Sequence, residues 1–181
     1  MTTPQVREAA DDDLDRVLAV HRQAFGQETE AGLVRDLLAD PSAAPRLSLL
    51  ATDGGRPVGH ILFTAVTVAG AHPPVAAAIL APLAVVPGAQ GRGIGRRLVE
   101  DGLRRLAASG TDLVFVLGDP QYYGRFGFEP ASPRGLAAPY PLPEAYAEAW
   151  LVRRPGPGAI GTATGRVDCA EMLRRPELWQ E

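Results

Sequence analysis

A glycine-rich turn at residues 90–95, with the sequence QGRGIG, combines residue types and spacing that fit a definite chemical task. Glycines at such a turn let a ligand lie close against the backbone. If a helix begins there, its first N–H groups and its partial positive charge favour a phosphate. Arg92, Arg96 and Arg97 add positive charge, although adjacent helical side chains diverge and cannot all face one phosphate. The turn therefore predicts a cradle for a pyrophosphate.

Three phosphate-binding patterns place glycines at a turn of this kind. The loop of nucleoside triphosphatases requires Gly-Lys-Ser/Thr, and this chain contains no lysine. The dinucleotide fingerprint requires its third glycine one position beyond Gly95 and an acid at the end of the next strand, whereas Asp112 begins the next predicted strand. The third pattern, Gln/Arg-x-x-Gly-x-Gly/Ala, is matched in full by Gln90, Gly93 and Gly95.

The elements on either side of the turn are predicted to position it. Residues 76–86 form an apolar run of strand length before it, and residues 96–106 carry apolar side chains at helical spacing after it. Pro82 lies inside the predicted strand, and proline cannot donate to a sheet ladder. The sequence therefore predicts a bulge or an unpaired edge at Pro82.

The rest of the chain predicts one alternation of helices and strands without an internal repeat. Strands are expected at 5–9, 47–52, 57–68, 112–117 and 147–152, and helices at 11–25, 29–38 and 120–126. Residues 129–143 contain five prolines and are predicted to form an irregular loop over the site. This pattern alone predicts an α and β domain of undefined topology.

Two segments resemble a known family. Residues 83–98 contain the glycine-rich turn, and residues 122–128 read YYGRFGF, like an aromatic-Tyr-x-x-x-Gly-Phe element. In this order, separated by one helix and one strand, they resemble the GNAT superfamily of N-acetyltransferases, with its bacterial YhbS-like branch as one candidate. The two segments lie in the central third to half of the chain. The resemblance implies an α+β fold: a mixed, mostly antiparallel sheet with helices on both faces, in a single N-acetyltransferase domain over residues 1–181.

The resemblance also implies a reaction and a cofactor site. The family transfers an acetyl group from acetyl-CoA, a co-substrate, to a primary amine by direct attack in a ternary complex. Backbone amides near Leu83, Ala84 and Val85 are expected to hold the pantetheine arm. The expected cofactor-binding residues of the turn are Gln90, Gly91, Arg92, Gly93, Ile94, Gly95 and Arg96. Gln90 has an alternative role as a brace or helix cap.

Catalytic roles follow the same resemblance. Tyr123 is expected to protonate the departing sulfur, or alternatively to pack beneath the cofactor, while Tyr122 is expected to pack. Glu28 and Asp119 are the candidate bases, and Glu30 lies beside Glu28 where this family often forms its acceptor wall. Each carboxylate could instead be a solvated helix cap. Many relatives place an asparagine near the short helix, and this chain has none.

Composition excludes several other classes. A formal charge of −3 without a basic face argues against nucleic acid. The single cysteine, Cys169, and the absence of ligand spacing argue against a metal site. No apolar run reaches membrane length and no leader opens the chain, so the cytoplasm is expected and no membrane partner is.

The sequence leaves the partners and two rival functions open. The acceptor is expected to be a small-molecule or protein amine, and the chain a monomer or homodimer. One rival is a non-catalytic CoA-binding sensor or partner subunit with the same fold. The other is a nucleotide-dependent oxidoreductase that uses the same glycines.

Overall fold

The computed structural model describes residues 3–180, which contain nine strands and four α-helices. The strands are β1 (Gln5–Glu8), β2 (Leu47–Asp53), β3 (Arg56–Val68), β4 (Ala77–Val85), β5 (Leu113–Leu117), β6 (Glu129–Pro130), β7 (Leu136–Ala137), β8 (Trp150–Arg153) and β9 (Gly165–Asp168). The helices are α1 (Leu14–Phe25), α2 (Thr29–Ala39), α3 (Ile94–Ala108) and α4 (Pro120–Gly124). Short 3₁₀ turns at Glu171–Leu173 and Pro176–Trp179 form the C-terminal segment.

One mixed sheet runs through the protein in the order β1-β2-β3-β4-β5-β8-β6. Along this path β4 and β5 are parallel, and the other neighbours are antiparallel. Strand β9 pairs with the end of β3 and with β7. The expected mixed, mostly antiparallel sheet is confirmed.

Helices cover both faces of this sheet. Successive side chains of a strand point to opposite faces, so neighbouring apolar residues of one strand pack against helices on different sides. Leu50 and Leu62 pack in one apolar cluster with residues of α1 and α2. Their chain neighbours Leu49 and Ile61 pack in a second cluster with residues of α3. The predicted α+β architecture with helices on both faces is therefore confirmed.

The predicted irregularity at Pro82 is also confirmed. The register between β3 and β4 shifts between Ile61 and Phe63, whose partners in β4 are Leu83 and Leu80. Two residues of β4 therefore lie opposite a single residue of β3. This bulge changes the direction of the second half of β4.

The C-terminal third differs most from the sequence prediction. The proline-rich segment 129–143 contains the short strands β6 and β7, and its apolar side chains pack against the core cluster of α1 and α2. The last predicted strand, 147–152, begins only at Trp150, and β9 and the two terminal 3₁₀ turns were not predicted. Two-residue strands give no period in a sequence, since alternation needs several residues to be recognised.

Within residues 3–180, no helix combines the length and apolar character that a membrane crossing requires.

Candidate active site

A cleft opens where β4 and β5 separate. The two strands pair from Ala77 to Ile79 on β4, and β5 then continues beside β8 alone. The Val86 N–H donates to the Val58 carbonyl of β3 at 2.9 Å. Because backbone groups alternate sides along a strand, the N–H groups of Val85 and Leu83 face away from β3 and into the cleft.

The first cavity lies at the end of this cleft and has a volume of about 480 Å³. Its lining combines the glycine-rich turn, the end of β4 and the short helix α4. The lining residues are Val85, Ala89, Gln90, Gly91, Gly93, Ile94, Gly95, Arg96, Tyr122, Arg125 and Phe126.

The backbone of the glycine-rich turn forms the floor of the first cavity. Gly91 and Gly93 have φ angles of 76° and 79°, in the left-handed region that favours glycine. Gly93 is the N-cap of α3, and the first intrahelical bond runs from the Arg97 N–H to the Gly93 carbonyl at 3.0 Å. The N–H groups before Arg97 have no helical acceptor, and free N–H groups at a helix start favour an anion.

Of the three arginines near the turn, only Arg96 lines the first cavity. Its side chain is exposed and pairs with Glu100 at 2.8 Å. Arg92 forms a 2.8 Å ion pair with Asp53 at the β2–β3 hairpin, and Arg97 donates to the Pro4 carbonyl. The positive groups of the cavity are therefore its backbone amides and the side chains of Arg96 and Arg125.

Gln90 lines the first cavity and also takes the alternative role of a brace, whereas Ala84 lies away from both cavities. The Gln90 side-chain amide donates to the Val85 carbonyl at 3.1 Å, so it braces the turn against β4. Ala84 pairs with His60 of β3, is buried, and lines neither cavity. Leu83 and Val85 carry the backbone groups that face the cleft.

The second cavity adjoins the first along β4 and has a volume of about 470 Å³. It is lined by both strands of the cleft, the α1–α2 corner and the C-terminal segment. The lining residues are Phe25, Thr29, Glu30, Leu33, Ile79, Leu80, Ala81, Pro82, Leu83, Val116, Leu117, Tyr123, Leu173, Leu178 and Trp179.

Tyr123 lies in the fork of the cleft and lines the second cavity, whereas Tyr122 lines the first. Burial raises the pKa of the Tyr123 phenol, which stays protonated at neutral pH. Its ring lies against the backbone of Gly118, where an added Cβ would be 2.5 Å from Cε2. The Arg125 guanidinium lies 4.9 Å above the Tyr122 ring.

The two predicted bases lie outside both cavities. Asp119 is exposed at the N-cap of α4, where its carboxylate accepts from the Gln121 N–H at 2.9 Å. Glu28 is exposed and binds the Arg22 guanidinium at 2.6 and 2.9 Å. That hydrogen bond lowers the pKa of Glu28, which weakens it as a base. Neither geometry supports a catalytic base, and both assignments rest on the sequence alone.

Glu30 lines the second cavity in place of Glu28. Its carboxylate accepts from the Gln27 side-chain amide at 3.1 and 3.2 Å. Among residues 3–180, no arginine or histidine lies within ion-pair distance of Glu30.

The C-terminal wall of the second cavity was not predicted. No residue of the proline-rich segment 129–143 lines either cavity, contrary to the expected loop over the site. Leu173, Leu178 and Trp179 lie there instead. Their sequence signal is weak, because a short segment with scattered apolar residues has no period.

Metal ligands are not grouped in this site. In the described part of the chain, no cluster of three or more histidine, cysteine, aspartate or glutamate side chains is arranged to hold an ion.

Comparisons with known proteins agree with this geometry. Residues 5–131 match the family model described as an acetyltransferase (GNAT) domain. The chain is 46% identical over 160 residues to the uncharacterized N-acetyltransferase YjhQ of Escherichia coli K12, covering 88% of each protein. It is 37% identical over 164 residues to YhbS of the same strain, covering 90% of this chain and 94% of YhbS.

Two solved structures extend the comparison. The crystal structure of Escherichia coli YhbS in complex with CoA superposes with a TM-score of 0.86 at 34% identity, over 97% of this chain and 94% of that one. A GNAT acetyltransferase of Brucella melitensis in complex with acetyl-CoA superposes with a TM-score of 0.74 at 28% identity, over 96% and 99%. The model match and the relatives together establish that the chain belongs to the GNAT acetyltransferase family.

Proposed function

We propose that this protein transfers an acetyl group from acetyl-CoA to a primary amine, which attacks directly in a ternary complex. One observation carries the proposal: an amide-lined cavity and a largely apolar cavity adjoin along the unpaired edge of β4. The solved relatives that hold CoA or acetyl-CoA support it.

The first cavity fits the pyrophosphate of acetyl-CoA. A Cβ on Gly91 or Gly93 would have no protein atom within 4 Å, so a ligand has room to approach both backbones. The N–H groups at the start of α3 would donate to the phosphate oxygens, and Arg96 would add one charge-assisted contact. Arg92 is engaged by Asp53 and would contribute little.

The edge of β4 fits the pantetheine arm. Leu83 and Val85 offer backbone groups that no neighbouring strand uses, so an extended amide chain would bind there like an added strand. The Val85 carbonyl already accepts from Gln90. Its N–H is therefore the group that Val85 offers.

This arrangement directs the thioester to Tyr123 at the fork. The amine nitrogen attacks the thioester carbonyl carbon, a C–N bond forms, and the C–S bond breaks. The sulfur takes the electron pair and a proton from the Tyr123 hydroxyl. The proton that the amine loses restores the phenol through solvent. Because burial raises the pKa of Tyr123, the phenol is protonated at neutral pH, so it holds a proton to donate and cannot act as the base.

In this proposal Glu30 accepts the first proton that the acceptor loses, the one that converts its ammonium group into a free amine. An alkylamine has a pKa near ~10 and arrives as an ammonium ion. The Glu30 carboxylate borders the second cavity without an arginine partner and would bind that ion. From there the proton can pass to the carboxylate or to water.

Ligand-dependent unfolding followed by turnover tests the proposal. CoA should raise the thermal midpoint, because a ligand at 100 times its dissociation constant adds ~2.7 kcal/mol to stability, while NAD and ATP should not. Acetyl-CoA with an amine panel should then release free thiol, and buried Cys169 adds little background. A shift from NAD without one from CoA would overturn the proposal. A CoA shift without turnover would favour a non-catalytic CoA-binding module.

A further inference from the structure

The wall of the second cavity that faces the unpaired edge of β4 is almost wholly apolar. Phe25 of α1, Leu33 of α2, and Leu173, Leu178 and Trp179 of the C-terminal segment contribute to it. Phe25 is 41% exposed although it is a large aromatic residue. Exposed apolar surface inside a concave site commonly marks a ligand contact.

The C-terminal part of this wall is held in place by hydrogen bonds. The Trp179 indole N–H donates to the Leu173 carbonyl at 3.0 Å, and its ring lies 5.7 Å from that of Trp150. The Met172 N–H donates to the Asp40 carboxylate at 3.1 Å, at the end of α2. The apolar wall is therefore a built part of the fold.

Charge at this cavity is limited to one group. Among the described residues, Glu30 is the only ionisable carboxylate that lines it, and Thr29 and Tyr123 are the only other polar side chains. Glu28, two residues away, is held by Arg22 outside the cavity. The cavity can therefore bind one ammonium group, while a second would enter apolar surroundings at a large desolvation cost.

We infer that the acceptor is a small primary amine on an apolar body, an alkylamine or arylalkylamine, with its ammonium at Glu30 and its body against Phe25, Leu33 and Trp179. The inference rests on the proposed acetyl transfer and narrows its substrate. Polyamines and aminoglycosides carry several ammonium groups and are excluded by the same charge argument.

A homologous series of linear amines tests the inference. From propylamine to octylamine, kcat/KM should rise about fourfold for each added methylene until the cavity is full. Spermidine and kanamycin should be poorer than hexylamine by at least about tenfold. A kcat/KM that does not change with chain length, or a higher kcat/KM for spermidine than for hexylamine, would overturn the inference.

Two variants locate the effect at this cavity. Glu30→Gln should raise KM for hexylamine by about tenfold or more, because it removes a charged hydrogen-bond partner. Glu177→Gln, an exposed carboxylate of the C-terminal segment, is the matched control and should keep the wild-type KM. Leu33→Asp should raise the KM for hexylamine and lower the KM for 1,6-diaminohexane, since the distal ammonium of the diamine then meets a carboxylate. Unchanged preference in a folded Leu33→Asp protein would contradict the inference.

The two proposals fail in different ways. Failure of acetyl transfer means no thiol release with any amine. Calorimetric binding of the same amines to the CoA-loaded protein then still tests the cavity, because dissociation constants should show the same dependence on chain length. If the protein acetylated polyamines but not alkylamines, the inference about the acceptor would be wrong and the proposed acetyl transfer would stand.

Discussion

Tyr122 and Tyr123 are adjacent in the chain, yet their rings line different cavities. The ring centroids are 5.0 Å apart and the planes are nearly perpendicular, at 88°. Tyr122 lines the first cavity, beside the glycine-rich turn, and Tyr123 lines the second cavity. Under the proposed function, this division gives Tyr122 a place beside the cofactor phosphates and Tyr123 the role of the acid.

Tyr123→Phe is therefore expected to lower kcat more than CoA affinity. The change keeps the ring and removes only the hydroxyl, so the loss should be about a hundredfold or less. The thiolate is a fair leaving group, since thiols have a pKa near ~8.5. Steady-state kinetics with saturating acetyl-CoA and CoA calorimetry measure the two effects. Tyr122→Phe is the comparison; if it alone lost turnover, the acid would be Tyr122.

Gly118→Ala should damage turnover by displacing Tyr123. The new Cβ would lie 2.5 Å from Tyr123 Cε2 and 2.9 Å from Cδ2, so the ring must shift. We expect a lower kcat with near-normal CoA affinity and a stability loss of ~1–3 kcal/mol from overpacking. Gly124→Ala, on the helix α4 that carries Tyr123, meets no atom within 4 Å and is the control. Equal turnover in both variants would contradict the positioning role of Gly118.

Gly93→Val is expected to abolish CoA binding while the protein still folds. A side chain at this position would occupy open space beside the backbone that lines the first cavity, and a β-branched residue at a φ of 79° is strained. The left-handed conformation costs ~1–2 kcal/mol, which most domains tolerate. Calorimetry with CoA and circular dichroism separate binding from folding. Normal affinity in the folded variant would place the phosphates elsewhere.

Arg96→Ala should lower the affinity for CoA by only about twofold to fivefold, because exposed charge contacts are weak. The contact is also screened, so the difference from wild type should shrink at high salt. Affinity measured at two ionic strengths tests both points. Arg104→Ala, on the exposed side of α3 and paired with Asp101, is the control. A loss as large as that of Gly93→Val would mean that the guanidinium outweighs the amides.

Local patterns in the sequence predicted the glycine-rich turn at the start of α3 and the bulge in β4. Gly91, Gly93 and Pro82 act on their own backbone, so their residue types alone indicate a left-handed turn and a bulge. The acceptor half depends on packing between distant segments. Nothing near Glu28 or Glu30 in the sequence tells which carboxylate Arg22 will bind, and that pairing decides which one reaches the cavity.

The buried pair His21 and His60 was likewise not predicted. Both side chains are fully buried, and His21 Nε2 lies 2.8 Å from His60 Nδ1. The second ring nitrogen of His60 lies 2.7 Å from the Ser48 hydroxyl. In a strand and a helix with regular apolar patterns, a lone histidine gives no sequence signal of such a partner.

Burial makes this pair a source of pH-dependent stability. It lowers the pKa of His21 to about 4 and, together with the neighbouring His21, the pKa of His60 to about 3. Unfolded histidines titrate near ~6.5, so below that pH the unfolded state binds more protons than the folded state. The contribution of the neutral pair is present above pH ~6.5 and is lost as the pH falls through the folded values.

The free energy of unfolding is therefore expected to fall between pH 7 and pH 5, by up to ~1.4 kcal/mol per pH unit for each histidine. Urea unfolding, followed by the fluorescence of buried Trp150 and Trp179, measures this slope. His60→Gln should reduce the slope by about half, whatever its effect on absolute stability, because one proton-binding difference is removed. His72→Gln, at an exposed turn between β3 and β4, is the matched control for loss of a histidine. A flat wild-type profile across this range would show that the folded protein accepts protons at the pair, and the neutral buried arrangement would then be wrong.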